Sequence, residues 1–199
     1  MRRLAVCLLL CAGPVLAGAQ QEEALSASVQ TAMQRSINDR VEPRLVFADP
    51  AEGESWLREM SARIARRVPD EFMRRKLLTA IHYEATRAGL DPQLVLGLIQ
   101  VESGFNRYAI SSVGARGLMQ VMPFWQRSIG SKEQNLFDLH TNLRYGCTIL
   151  RHYLDIENGD LFRALGRYNG SLGKADYPDM VYAAWKAKFG WNWNKLAGR

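Results

Sequence analysis

The chain has 199 residues, 47% of them hydrophobic, with 26 Lys and Arg against 20 Asp and Glu for a formal charge of +6. That length supports one domain with its own core, and the mild positive surplus suits an anionic cell envelope without selecting a partner. No nucleic-acid-binding motif accompanies the charge, so nucleic acid is not expected as a partner; the histidines and cysteines fall at no metal-ligand spacing, so neither a metal nor a cofactor is expected.

Residues 1–19 read as a secretory signal peptide. Met1-Arg2-Arg3 is a basic start, Leu4 to Leu16 is apolar apart from Gly13 and Pro14, and Ala17-Gly18-Ala19 is a small-residue cleavage site. The apolar run is too short to span a bilayer. Cleavage after Ala19 would leave 24 basic against 20 acidic residues, since Arg2 and Arg3 depart. Val6 and Leu10 precede Cys7 and Cys11, where a lipidated cysteine would follow a small residue. The sequence therefore predicts a periplasmic protein without a lipoprotein anchor. Only Cys147 then remains, and its apolar neighbours at helical spacing predict a buried, inert thiol.

Residues 22–40 read as a polar, weakly apolar helix, and Pro43, Pro50 and Gly53 punctuate a connector after it. Residues 20–53 are thus expected to form an N-terminal helical appendage or linker, with the main domain at 54–199. Trp56, Met60, Ile64 and Val68 make one helical stripe, broken at Pro69-Asp70. Phe72, Leu77, Ile81 and Tyr83 suggest a second helix, closed at Ala88-Gly89. Asp91-Pro92 supplies an N-cap and a proline at the first helical position, opening a helix that runs to Glu102 or Ser103. Residues 104–117 read as a long structured loop and 123–128 as a short helix. Asp138 caps a helix over 139–156, Asn158-Gly159-Asp160 separates it from another through Leu161, Leu165 and Tyr168, and 176–189 is the last helix. His82, His140 and His152 are expected on helix surfaces. No segment alternates like a strand, so the fold class is all-α.

The helix over 92–102 carries Leu94, Val95, Leu96, Leu98, Ile99 and Val101, which cover every side of the cylinder. It should pass through the middle of the domain. Glu102 lies one turn after Leu98, where the helix leaves the core. Burial and the negative end of the helix dipole would both raise its pKa, which is how a glutamate stays protonated and serves as a general acid. The spacing alone equally fits a solvent-facing glutamate on a helix that has just ended.

The stretch that follows, ESGFNRYAISSVGARGLMQVMP, resembles the catalytic domain of the soluble lytic transglycosylases, relatives of goose-type lysozyme that cut bacterial peptidoglycan. The resemblance spans roughly Leu77 to Tyr182. It rests on four ordered stretches: Glu102-Ser103, Gly117-Leu118-Met119-Gln120, Asn142 to Leu154, and Tyr168-Asn169. It implies a lysozyme-like helical domain with a substrate groove, and Glu102 as the single acid for the bond between N-acetylmuramic acid and N-acetylglucosamine. The substrate's own C6 hydroxyl would then close a 1,6-anhydro ring, so no second carboxylate is needed; the alternatives are a lysozyme-like hydrolase using the same acid on the same bond, or a catalytically silent peptidoglycan-binding scaffold module. No acidic residue falls between Glu102 and Met122, which agrees.

The resemblance further implies that Ser111 contacts substrate near the reacting carbon, although ordinary loop hydrogen bonding would also account for it. Gln120 would line the groove and bond sugar hydroxyls or acetamides, with a buried structural amide as the rival role. Met122 and Tyr153 would face the groove, whereas Met119 reads as core. Tyr168 would hydrogen-bond the glutamate, with Asn169 beside it. Arg167 and Arg107 depart from the pattern, standing where alanine and proline are common. Residues before Glu54 and the tail 191–199 lie outside the resemblance; they would be the parts to tether the protein to an envelope secretion or pilus assembly.

Overall fold

The computed structural model describes residues 20–39 and 41–191, so the signal-peptide segment and residues 192–199 of the tail lie outside the described residues. The described chain is all-α: α1 Ala27–Asn38, α2 Pro50–Ile64, α3 Glu71–Arg87, α4 Pro92–Glu102, α5 Phe124–Ile129, α6 Leu139–Ile156, α7 Leu161–Asn169 and α8 Asp176–Ala183, which runs into a π-helical turn at Ala184–Lys188.

Aspartate side chains start the helices. Asp49, Asp70, Asp91, Asp138 and Asp160 each accept a backbone N–H from the first turn of α2, α3, α4, α6 and α7, satisfying donors that otherwise have no partner. The cap at Asp49 moves the start of α2 to Pro50, so part of the expected connector is helix. At the other end of the chain, the helix expected over 176–189 loosens after Ala183 into the wider π turn.

Helix α4 is the axis of the fold, packed against α3, α8 and the π turn. Leu94, Val95, Leu96, Leu98 and Ile99 are all buried, and each contributes roughly 2 kcal/mol by leaving water. Gly97 lets Trp185 come against the helix, because a Cβ there would lie 2.9 Å from the Trp185 backbone nitrogen. Around this axis, α6 packs against α1, α3 and α7.

Residues 20–53 are not held apart from this core. Met33 and Ile37 of α1 are buried in the same apolar cluster as α4, and Phe47 stacks on His82 at 4.4 Å. His82 is thus not on a helix surface. Its ring sits edge-on to Trp56, its Nδ1 accepts the Val46 N–H at 3.3 Å, and burial pushes its pKa down to about 4. Cys147 is fully buried and burial raises its thiol pKa, as its apolar neighbours predict.

One buried charge network joins three helices. Glu84 on α3 has no exposed surface; it accepts from Arg144 of α6 at 2.9 and 3.0 Å and from Arg87 at 2.8 Å. Arg87 also donates to Ser36 of α1 at 2.7 Å, and Ser36 meets Thr148 at 3.0 Å. Removing the carboxylate would strand two guanidinium groups. Glu84→Ala should therefore cost about 3–5 kcal/mol, read as a drop in the urea midpoint.

Candidate active site

Glu102 occupies the last position of α4, with 5% of its surface exposed. Ser103 ends the helix: its N–H returns to Ile99 at 3.1 Å and its hydroxyl donates to the Leu118 carbonyl at 2.8 Å. The carboxyl therefore sits where the core opens, in a cleft of about 640 Å³ lined on one wall by Ser103, Tyr108, Ser111 and Gln120 and on the other by Arg67 and Gln100. Glu102 is the only carboxyl in that lining. Burial raises its pKa to about 8, outweighing the opposing effect of a hydrogen bond from Tyr177, whose hydroxyl donates to Oε1 at 2.5 Å.

The wall opposite α4 is an irregular loop held by side-chain amides. Asn142 of α6 accepts the Met119 N–H at 2.8 Å and donates to the carbonyls of Arg116 and Leu136 at 2.9 and 2.8 Å. Gly117, at φ +77°, allows this approach, since a Cβ would lie 2.7 Å from the Leu136 carbonyl and closer still to the Asn142 amide. Gln120 has φ +48° and is buried, and its Nε2 donates to Gly117 at 2.8 Å and Ala109 at 3.3 Å. A non-glycine residue in that region costs about 1–3 kcal/mol, offset here by both hydrogen bonds. Ser111 Oγ accepts the Ala115 N–H at 3.0 Å. Ser111 and Gln120 thus line the cleft while their polar groups also tie the loop together.

A family model for the transglycosylase SLT domain matches residues 79–184, just over half of the chain. The chain belongs to this family. Among curated relatives, a transglycosylase of Enterobacteria phage PRD1 is 42% identical over 88 residues, covering 44% of this chain and 32% of its own. A membrane-bound lytic murein transglycosylase C of Haemophilus influenzae is 37% identical over 119 residues, covering 52% and 33%. The chain spans about a third of the length of these relatives. A solved lytic transglycosylase Slt from Pseudomonas aeruginosa, an inactive mutant, aligns over 85% of this chain and 35% of its own, at 18% identity and a TM-score of 0.45.

Within the SLT domain the two tyrosines are arranged differently from the expectation. Tyr168 is buried and near enough for the Glu102 charge to raise its pKa, yet its hydroxyl donates to the Met119 carbonyl at 2.7 Å. The hydrogen bond expected from Tyr168 to the glutamate comes from Tyr177, at the start of α8. The sequence signal was present: Tyr177 lies one turn before Val181 on the buried face of α8, and a buried phenol needs an acceptor. Which acceptor it finds depends on how α8 docks against α4, which no local spacing encodes.

The remaining expected residues, Met122, Tyr153 and Asn169, are not among those that line the Glu102 cleft. Met122 is half-buried beyond Gln120. Tyr153 is buried, edge-on to Trp125 at 6.2 Å, and lines a separate small hollow with Arg167, Gln21 and Glu23. Asn169 is buried at the end of α7, where Gly170 in the left-handed conformation closes the helix. Of the two departures, Arg107 donates to the Phe137 carbonyl at 2.7 Å, and Arg167 pairs with Glu157 and with Glu23, the latter at 3.2 Å.

A carboxyl whose pKa is about 8 when folded and 4.5 when exposed favours the folded state below pH 4.5. That contribution is lost by about 1.4 kcal/mol per pH unit as pH rises toward 8. Glu102→Gln should therefore stabilise the protein increasingly between pH 4.5 and 8 and by a constant amount above, measured as the difference in denaturant midpoint from wild type. Tyr177→Phe removes a donor that favours the carboxylate, and should extend that window to higher pH. Tyr168→Phe should leave it in place, because that hydroxyl serves Met119.

Proposed function

We propose that this SLT-family protein is a peptidoglycan lytic transglycosylase in which Glu102 acts alone as general acid and then general base. The observation that carries the reading is one buried carboxyl, protonated at neutral pH, in a cleft whose lining holds no second one. Glycosidases that activate water or form a glycosyl-enzyme need two carboxyl groups flanking the bond. With one, a nucleophile supplied by the substrate itself is the reading favoured over activated water.

The chemistry follows from the geometry. Tyr177 donates to Oε1, which leaves Oε2 to carry the transferable proton. Glu102 gives that proton to the oxygen bridging N-acetylmuramic acid and N-acetylglucosamine, and the bond to the muramoyl C1 breaks. The carboxylate so formed, favoured by the Tyr177 hydrogen bond, accepts the proton of the muramoyl C6 hydroxyl as that oxygen attacks C1. The sugar closes into a 1,6-anhydro ring, and Glu102 regains its starting state. A peptidoglycan substrate places the enzyme in the periplasm, in keeping with residues 1–19 as an export signal. An envelope secretion or pilus assembly that needs a local gap in the wall is the class of partner it would serve.

Mass analysis of digested peptidoglycan tests the reaction type. Anhydro-muropeptides, one water lighter than hydrolysis products, are expected; reducing-end products alone would assign a hydrolase instead. Glu102→Gln should lower turnover by about 10²- to 10⁴-fold, and an active Glu102→Gln protein would overturn the assignment of the acid. Because the acid must hold its proton, kcat/KM should fall tenfold per pH unit above about pH 8, and Tyr177→Phe should move that limb upward.

A further inference from the structure

Residues 20–25, ahead of α1, lie against the wall that carries Met122 and Tyr153. Gln20 is 4% exposed. Its Oε1 accepts from the Met122 backbone N–H at 3.2 Å and the Trp125 indole N–H at 3.0 Å, and its Nε2 donates to the Gln120 carbonyl at 3.3 Å. Further along, Glu22 pairs with Arg127 at 3.5 Å and Glu23 with Arg167 at 3.2 Å, while Leu25 packs on the core. Gln120 is the shared boundary: it lines the Glu102 cleft, and its carbonyl holds Gln20.

Three backbone and indole groups around the Gln20 carboxamide read an amide, with the Tyr168 hydroxyl as a further hydrogen-bonding neighbour. Two N–H donors converge on its oxygen and one carbonyl takes its N–H. An acetamido group on a hexosamine presents the same carbonyl oxygen and N–H, on a neutral and compact frame. We propose that residues 20–25 are a built-in strap, with the Gln20 carboxamide occupying a pocket that would otherwise take the acetamido group of an N-acetylhexosamine next to the Glu102 cleft. A glycan strand extending past Gln120 must displace the strap, and while the strap is in place it fills only the arm on the Glu102 side. The inference rests on the cleft being a glycan groove.

A competitor that occupies its site about nine-tenths of the time weakens apparent binding about tenfold. Hexameric N-acetylglucosamine is the probe, titrated calorimetrically into the Glu102→Gln full chain so that binding is read without turnover. Adding Gln20→Ala, or Gln20→Ala with Glu22→Lys and Glu23→Lys, should tighten binding about tenfold. If Gln20 instead helps to bind sugar or only braces the wall, affinity stays the same or weakens, and the inference is overturned.

A second readout leaves Gln20 and Glu23 in place. An environment-sensitive label on Glu22→Cys, in the Glu102→Gln chain with Cys7→Ser and Cys11→Ser and with Cys147 buried, should change its emission saturably with the hexamer; bound sugar with an unmoved label overturns the inference independently of the other variants. Binding to none of the variants, together with no peptidoglycan turnover by wild type, would overturn the glycan reading and the strap with it. Binding that is indifferent to the strap overturns the strap alone.

Discussion

The fold is arranged around one unfavourable act, the removal of the Glu102 carboxyl from water. Two effects oppose each other at that group. Burial penalises the charged form, and Tyr177, donating to Oε1, favours it. Burial wins, so the group carries its proton at neutral pH. The hydrogen bond still matters, because it keeps the carboxylate accessible once the proton has gone. A carboxyl buried without that donor would hold its proton too firmly to release it. The placement at the end of α4, where the helix dipole is negative, pushes in the same direction as burial.

Holding an acid in that state requires a scaffold that does not yield. Helix α4 cannot tilt toward solvent without exposing five aliphatic side chains, and Gly97 brings the Trp185 backbone against it so closely that there is little room to slide. The opposite wall has no regular structure to stiffen it. Its rigidity comes from polar side chains that each satisfy several backbone groups: Asn142 with three, Gln120 with two, and Ser103 and Tyr168 with the carbonyls of Leu118 and Met119. A buried network of this kind is worth having only when every member is paired, and here the pairing also fixes the backbone of the loop that lines the cleft.

Much of this was legible in the sequence because it is encoded locally. Aspartate caps, the prolines after Asp49 and Asp91, and apolar stripes at helical spacing announce the helices; an apolar run on every side of α4 announces a buried helix, although its spacing alone leaves Glu102 equally able to face solvent. What was not legible depends on docking. Whether Tyr168 or Tyr177 reaches Glu102 is decided by the approach of α7 and α8 to the end of α4. His82 is drawn inside because Phe47, 35 positions earlier in the chain, stacks on it. The polarity of residues 20–39 suggested an appendage, and the link to the core rests on two buried apolar side chains, Met33 and Ile37, with polar contacts from Gln30 and Ser36 that spacing does not announce.

The chemistry of the strap is consistent with the demands of the acid beside it. The Gln20 side chain supplies an acceptor to the Met122 and Trp125 N–H groups and a donor to the Gln120 carbonyl, and is itself uncharged. A carboxylate at position 20 would face the Gln120 carbonyl without a proton to offer, and its charge would raise the pKa of a neighbouring acid further; a lysine would lower it and bring the acid toward ionisation. The charged residues of the strap sit further out, at Glu22 and Glu23, where Arg127 and Arg167 neutralise them. Arg167 is expected from the resemblance to depart from the family pattern, and its pairing with Glu23 gives it a physical use in this chain: it anchors the segment that ends at Gln20. An uncharged side chain at position 20 fits the amide-reading pocket, while the ion pairs of Glu22 and Glu23 hold the strap in place.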